Sequence, residues 1–435
     1  MTGLERVARP FERVARLPIL SPLAVRDFRL VWFGEGVSLV GDAFQLVALS
    51  WLVLALTGSG LALGTILVAT AIPRGVFMLL GGVLADRVSP RDLALGSNVL
   101  RAVLTTIVAG LVIGGGVQIW HLALVGALFG TVDAVFLPAI NTLVPRLVPA
   151  GRLPAANAIM EGTRQLVGTV GPALAGFAVA LIGVGPAYVI DAVSFAVAAL
   201  ALWYVRSAAA ARAAAPAAAG ATSVVDPSRL HGEARPSVAA ALIEGARTVF
   251  GDPALRSIVI ISTAVNLAFT GPTTVGLPWL VLVHFGADAF ALGLLFAAFG
   301  AGSLAGVILA GSLRRPRWFG WLVLSLLLAM GVGLGAIGLA PSIAAIAFIS
   351  VVIGTMNGYV NVVIISWVQE KTEPHLLGRT ISFMMLGSVV SAPLSIALAA
   401  FAVDTHATAM FLVAGALVVV SGIVAIASGL PRRLA

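Results

Sequence analysis

Runs of about twenty apolar residues recur along this chain, each broken off by Gly, Pro or charge, and no other feature of the sequence restricts the fold as strongly. A backbone crossing ~30 Å of hydrocarbon must satisfy its own hydrogen bonds, and a helix of about 20 residues does so. Twelve spans are expected, at 28–56, 61–85, 93–115, 119–140, 157–182, 186–206, 256–283, 288–312, 318–340, 342–367, 378–402 and 407–430. Only 10% of the 435 residues are charged and 60% are hydrophobic, whereas soluble domains carry roughly 25% charge. A soluble fold is excluded. Cysteine is absent, which removes disulfides, thiolate metal sites and cysteine nucleophiles. No cleavable signal peptide is expected: the first apolar run follows a basic stretch (Arg6, Arg9, Arg13, Arg16, Arg26, Arg29) and is too long for one.

The net charge of +8 would point to nucleic acid in a soluble protein, but here its distribution is topological. Arg87 and Arg91, Arg146 and Arg152, residues 206–256, Arg314, Arg315 and Arg317, Lys371 and Arg379, and Arg432 and Arg433 fall in every second connection. The intervening turns hold no Lys or Arg. Short cytoplasmic loops collect these residues, so both termini are expected in the cytoplasm of a multi-pass protein of the plasma or inner membrane. The expected organisation is a cytoplasmic segment 1–27, a six-helix bundle 28–206, a linker 207–255, a second six-helix bundle 256–430 and a tail 431–435. The linker is Ala-rich with Pro216, Pro227, Gly220 and Gly232, too poor in apolar bulk to order itself, until 238–250, where apolar spacing suits a short amphipathic helix.

The halves are related. Val47-Ala48-Leu49-Ser50-Trp51-Leu52-Val53-Leu54 matches Val275-Gly276-Leu277-Pro278-Trp279-Leu280-Val281-Leu282. Duplicated bundles place a substrate site between them near mid-membrane. Between the second and third spans stands Gly81-Gly82-Val83-Leu84-Ala85-Asp86-Arg87-Val88-Ser89-Pro90-Arg91, which resembles the signature G-x-L-A-D-R-x-G-R loop of the major facilitator superfamily. Gly82, Leu84, Ala85, Asp86, Arg87 and Arg91 fall close to their places, with Ser89 where Gly is usual. Ala155-Ala156-Asn157-Ala158, Asp191-Ala192-Val193-Ser194-Phe195 and the stretch with Gly168, Gly171, Pro172 and Gly176 are similar to the exporter branch that includes siderophore and macrolide efflux proteins. The last resembles that superfamily's antiporter motif, in which small residues admit a close neighbour and the proline bends the helix. The resemblance implies an all-α membrane protein of twelve transmembrane helices in two pseudo-symmetric bundles. It also implies a cavity lined by the first, fourth, seventh and tenth helices, and a conformational gate at Gly82, Asp86, Arg87 and Arg91.

Ionisable groups in membrane helices are costly and so mark function or its supports. They gather in the first half: Glu35, Asp42, Arg74, Arg101, Asp133, Glu161, Arg164 and Asp191. Glu35, Ser38, Asp42 and Gln45 share one helix face by spacing, and Asp42 lies near mid-depth. It is a substrate-facing group or a partner of Arg74. Asp133 near Pro138 is the leading proton-coupling candidate, with Asp42 and Glu35 beside it, because a carboxylate in an apolar cavity can take and release a proton; the alternative is an ion pair with Arg101. The Arg that many drug antiporters carry in the fourth helix is missing. Glu161 and Arg164 are expected to pair locally, and Asp191 to be structural. The second half offers neutral groups: Asn266, Asn357 and Asn361, which either orient a substrate or join helices. Trp51, Trp120 and Trp279 are expected as interface anchors.

No P-loop lysine and no metal-ligand spacing occurs. An enzyme is not expected, nor a cofactor, a metal or a nucleic acid. The function expected is proton-coupled export of an amphipathic small molecule, a drug, siderophore or related natural product, by a monomer in the lipid bilayer. Its rivals are transfer of a lysophospholipid or similar lipid, and a non-transporting receptor or assembly partner. Deleting Ala208 to Ala234 separates the last, since a docking protein should lose function and a transporter should keep it.

Overall fold

A computed structural model describes residues 18–206, 246–313 and 318–431, with side chains described throughout except at 18, 79–87, 374–375, 377–379 and 382. The expected linker, apart from its last residues, and the side chains of Gly82, Asp86 and Arg87 lie outside the described residues. The first half comprises α1 (Arg26–Thr57), α2 (Gly60–Arg87), α3 (Pro90–Ile113), α4 (Ile119–Leu147), α5 (Leu153–Ile182) and α6 (Val184–Trp203). The second comprises α7 (from Pro253–Gly271 through irregular turns to His284), α8 (Ala289–Ser312), α9 (Phe319–Ile337), α10 (Ile343–Lys371) and the 54-residue helix Pro374–Ala427. That last helix breaks at His406, whose φ of −138° and ψ of 44° are not helical, giving α11 before it and α12 after it. Eleven of the described helices are long and apolar enough to cross a membrane, one of them this double span. The expected twelve are therefore present, with the break inside the turn read at 404–408.

Helix ends follow local chemistry. Asp252 accepts from the Ala254 and Leu255 amides at the start of α7, and Asp288 from the Ala291 amide at the start of α8. Within α7 the sequence reading of one regular span needs correction. Pro272 and Pro278 cannot donate to the helical ladder, and the chain answers with two π turns, Pro272–Gly276 and Leu280–His284. At the first of them Ser395 of α11 enters the ladder. The Gly271 amide donates to its Oγ at 2.7 Å, and that hydroxyl donates to the Leu267 carbonyl at 2.6 Å, so the side chain bridges the two backbone groups.

The halves meet along α5 with α8 and α2 with α11. A Cβ at Gly176 would stand 2.5 Å from the Ala289 carbonyl oxygen and 3.0 Å from Gly293 Cα, so these helices touch through backbone. At the end away from the arginine-bearing loops, Asp404 of α11 accepts from Ser59 Oγ (2.6 Å) and from the Gly60 (2.6 Å) and Leu61 (3.2 Å) amides, capping α2 from the other half. Trp279, expected as an interface anchor, instead packs between the halves beside Gly60.

Candidate functional site

Each half of the molecule holds a cavity. The first, about 430 Å³, is lined by Glu35, Asp42, Gln45, Arg74, Arg101, Asp133, Arg164 and Tyr188 among apolar residues of α1 to α6. The second, about 360 Å³, is lined by Asn266, Asn357, Asn361, Met330, Met384 and Met385 among Ile, Val and Leu of α7, α9, α10 and α11. The first cavity is ionic and the second apolar with amides. Ser38, placed on the polar stripe by spacing, is 2% exposed and lines neither cavity; the stripe rotates enough over four residues to bury it between helices.

The charges pair in an order that spacing did not give. Asp133 stands between two guanidiniums: Arg74 Nε lies 2.9 Å from its Oδ2, and Arg101 Nη2 contacts its Oδ1. Arg74 thus pairs with Asp133 and not with Asp42. Arg101 is 1% exposed and sits among three rings, its Cζ 4.2 Å from the centroid of Phe136, 5.4 Å from Phe129 and 5.5 Å from Phe195. Arg164, expected to pair with Glu161, reaches α1 and bonds Glu35 Oε1 at 3.3 Å. Residues 35 and 164 meet because α1 packs on α5, a contact also fixed by Trp32 Nε1 donating to Thr163 Oγ1 at 2.8 Å. Asp42 alone of the three cavity carboxylates has no hydrogen-bond or ion-pair partner among the described residues. A carboxylate left in this state is the group most able to exchange a proton or meet a charged ligand.

The remaining expected residues are placed as follows. Arg91 does not cross to the other half: its Nε and Nη2 donate to the Leu202 and Trp203 carbonyls at 3.1 and 2.6 Å, closing the end of α6, and its Nη1 meets Asp92. Gly171 lies against Ala43 of α1 and Gly176 against α8, while Gly168 faces open space. Asn266 Nδ2 donates to the Ser262 carbonyl of its own helix at 2.9 Å. Asn357 and Asn361, one turn apart, share its cavity wall. Asp191 is 0% exposed. Sequence reasoning missed Ser395 and Asp404, neutral or terminal positions in an apolar half; Asp404 was visible as the one acid in the turn at 404–408.

The family model described as Major Facilitator Superfamily matches residues 31–395. The multidrug efflux pump Tap of Mycolicibacterium fortuitum is 27% identical over 400 residues, covering 88% of this chain and 91% of that protein. An uncharacterized MFS-type transporter, y4rN, of Sinorhizobium fredii is 27% identical over 368 residues, 81% and 82% of the two chains. Macrolide efflux protein A of Streptococcus pyogenes is 22% identical over 393 residues, 89% and 92%. Among solved structures, that of the nucleoside transporter NupG superposes with a TM-score of 0.67 at 15% identity, over 93% of this chain and 99% of that one.

Proposed function

The chain belongs to the major facilitator superfamily, and from that premise we propose that it exports an amphipathic small molecule, a drug, siderophore or related natural product, in exchange for protons, by rocking its two halves about the central cavity. The observation that carries the reading is the isolation of Asp42. Asp133 is held by Arg74 and Arg101 and Glu35 by Arg164, whereas Asp42 lines the same cavity unpaired among the described residues. A free carboxylate can hold a proton or the cationic group of a substrate but not both at once, which is what exchange demands. Asp42 therefore takes the coupling role, with Asp133 and Glu35 as charged neighbours that tune it. The apolar wall with Asn266, Asn357 and Asn361 takes the rest of an amphipathic molecule.

Export agrees with the names of two relatives, which are efflux proteins. Both termini lie in the cytoplasm in this reading, following the arginine-bearing loops. Asp404 then closes the outer end, and the cavity stands ready to load from inside. Gly82, Asp86 and Arg87 serve as the inner gate, with Arg91 anchoring the helix that follows. The protein acts as a monomer.

The test is proton movement in everted vesicles, followed with a pH-sensitive dye against a panel of amphipathic compounds. Dequenching by some compounds, lost in Asp42→Asn, is expected. No response to any compound would overturn export. A second reading, transfer of lysophospholipid, is favoured by the Met-lined apolar cavity; it predicts movement of a fluorescent lysophospholipid between leaflets in vesicles where no soluble compound responds.

A further inference from the structure

Asp191 has no place in the cavity, yet it is the most deeply buried carboxylate described. It is 0% exposed, and neither carboxyl oxygen has a hydrogen-bond partner. It lies against α1 at a glycine: a Cβ at Gly41 would stand 2.5 Å from its Oδ1 and would collide with the Ser194 hydroxyl, which itself donates to the Asp191 carbonyl. Gly41 adjoins Asp42. The charged and titratable groups in electrostatic reach are Asp42 on α1, Arg101 on α3 and Tyr188 on its own helix. An ionised carboxylate without a partner is costly in such a place.

A cation stands nearby with a matching vacancy. Arg101 spends one terminal nitrogen on Asp133, while its Nε is buried without a partner. Its guanidinium lies on Phe195, one turn along α6 from Asp191 and on the same face. Asn98 and Thr105, one turn to either side of Arg101 on α3, also present buried oxygens with no partner, so polar capacity is left over along this seam. We propose that Arg101 is a two-position switch, that Asp191 is its second partner, and that the two carboxylates share one proton between them.

The exchange balances. With Arg101 on ionised Asp133, Asp191 is the neutral acid. When a proton from the cavity adds to Asp133, Arg101 turns to Asp191, whose proton passes to ionised Asp42 across the glycine notch; the O–H bond lost at Asp191 is regained at Asp42, and the total charge rises only by the proton admitted. Arg101 rests on an ionised carboxylate in either state, while Arg74 stays beside Asp133 throughout. The purpose of such a switch rests on the proton-coupled reading above, but its test does not.

Infrared spectra of the purified, substrate-free protein read it directly. Wild type is expected to show a protonated-carboxyl stretch that Asp191→Asn removes. Asp133→Asn is expected to remove the same band, because Arg101 then sits permanently on an ionised Asp191. A band absent from wild type, or one that survives in Asp133→Asn, would overturn the switch. Should Asp191→Asn fail to fold, carboxyl-13C aspartate in an Asp42→Asn background identifies the band by its isotope shift, and Asp133→Asn is scored against it. Failure here leaves Asp42-dependent export standing, and loss of export leaves these bands unchanged.

Discussion

At Asp42 and Asp133 the same side chain serves different ends because of what surrounds it. Asp42 has no partner to strand, so Asp42→Asn should change stability by no more than about 0.5 kcal/mol, measured by thermal unfolding in detergent, while abolishing coupling. Arg101 is the opposite case, a buried cation whose partners cannot all be removed. Replacing both Asp133 and Asp191 with Asn should cost about 3–5 kcal/mol, well above the sum of the single changes, since an uncompensated buried charge is left only in the double variant. Additive single effects would argue that Arg101 has just one partner. The sequence showed that costly charges gather in the first half, and all of them lie there. Of the pairings, it offered Asp133 with Arg101, which the structure contains, and missed the others. Glu35 and Arg164 are far apart in the chain and meet only because α1 packs on α5, and Arg74 of α2 pairs with Asp133 of α4 and not with Asp42 of α1.

Helices were the most legible feature, since their length and apolar content are set by the bilayer and can be counted. Their irregularities were not. Pro272 and Pro278 were visible, but the consequence for α7 depends on Ser395, which sits in α11 and accepts the Gly271 amide. Ser395→Ala removes both of these bonds and should destabilise the protein by about 1–3 kcal/mol, seen as an earlier unfolding transition; an unchanged transition would mean that the bridge adds nothing to stability. Small residues on α5 divide in the same way. Gly176→Val has backbone of α8 in its path and should cost about 1–3 kcal/mol by overpacking. Gly168→Ala meets nothing within 4 Å and should be neutral. The motif read as one unit therefore acts through some of its glycines only.

Over the whole molecule, the two halves are unequal partners: one carries the ionic wall, the other the apolar wall, and Asp404 ties them at the end away from the arginines. Because the chain has no cysteine of its own, spin labels can be placed at Leu61→Cys and Phe401→Cys without background. Asp404→Ala removes charge-assisted bonds, each worth about 1.5–3 kcal/mol, so the opened population should rise about tenfold or more and the mean label distance should lengthen. The duplication at Val47 and Val275 marks two related halves; the chemical difference between their cavities became clear only when α7, α9, α10 and α11 brought their Asn and Met residues to one cavity. In the proposed exchange, proton and substrate compete at Asp42. In liposomes reconstituted with Asp42→Asn, a pH gradient should no longer drive accumulation of a substrate found in the vesicle screen, while substrate-for-substrate exchange continues at a raised KM. Gradient-driven accumulation at the wild-type level would contradict it.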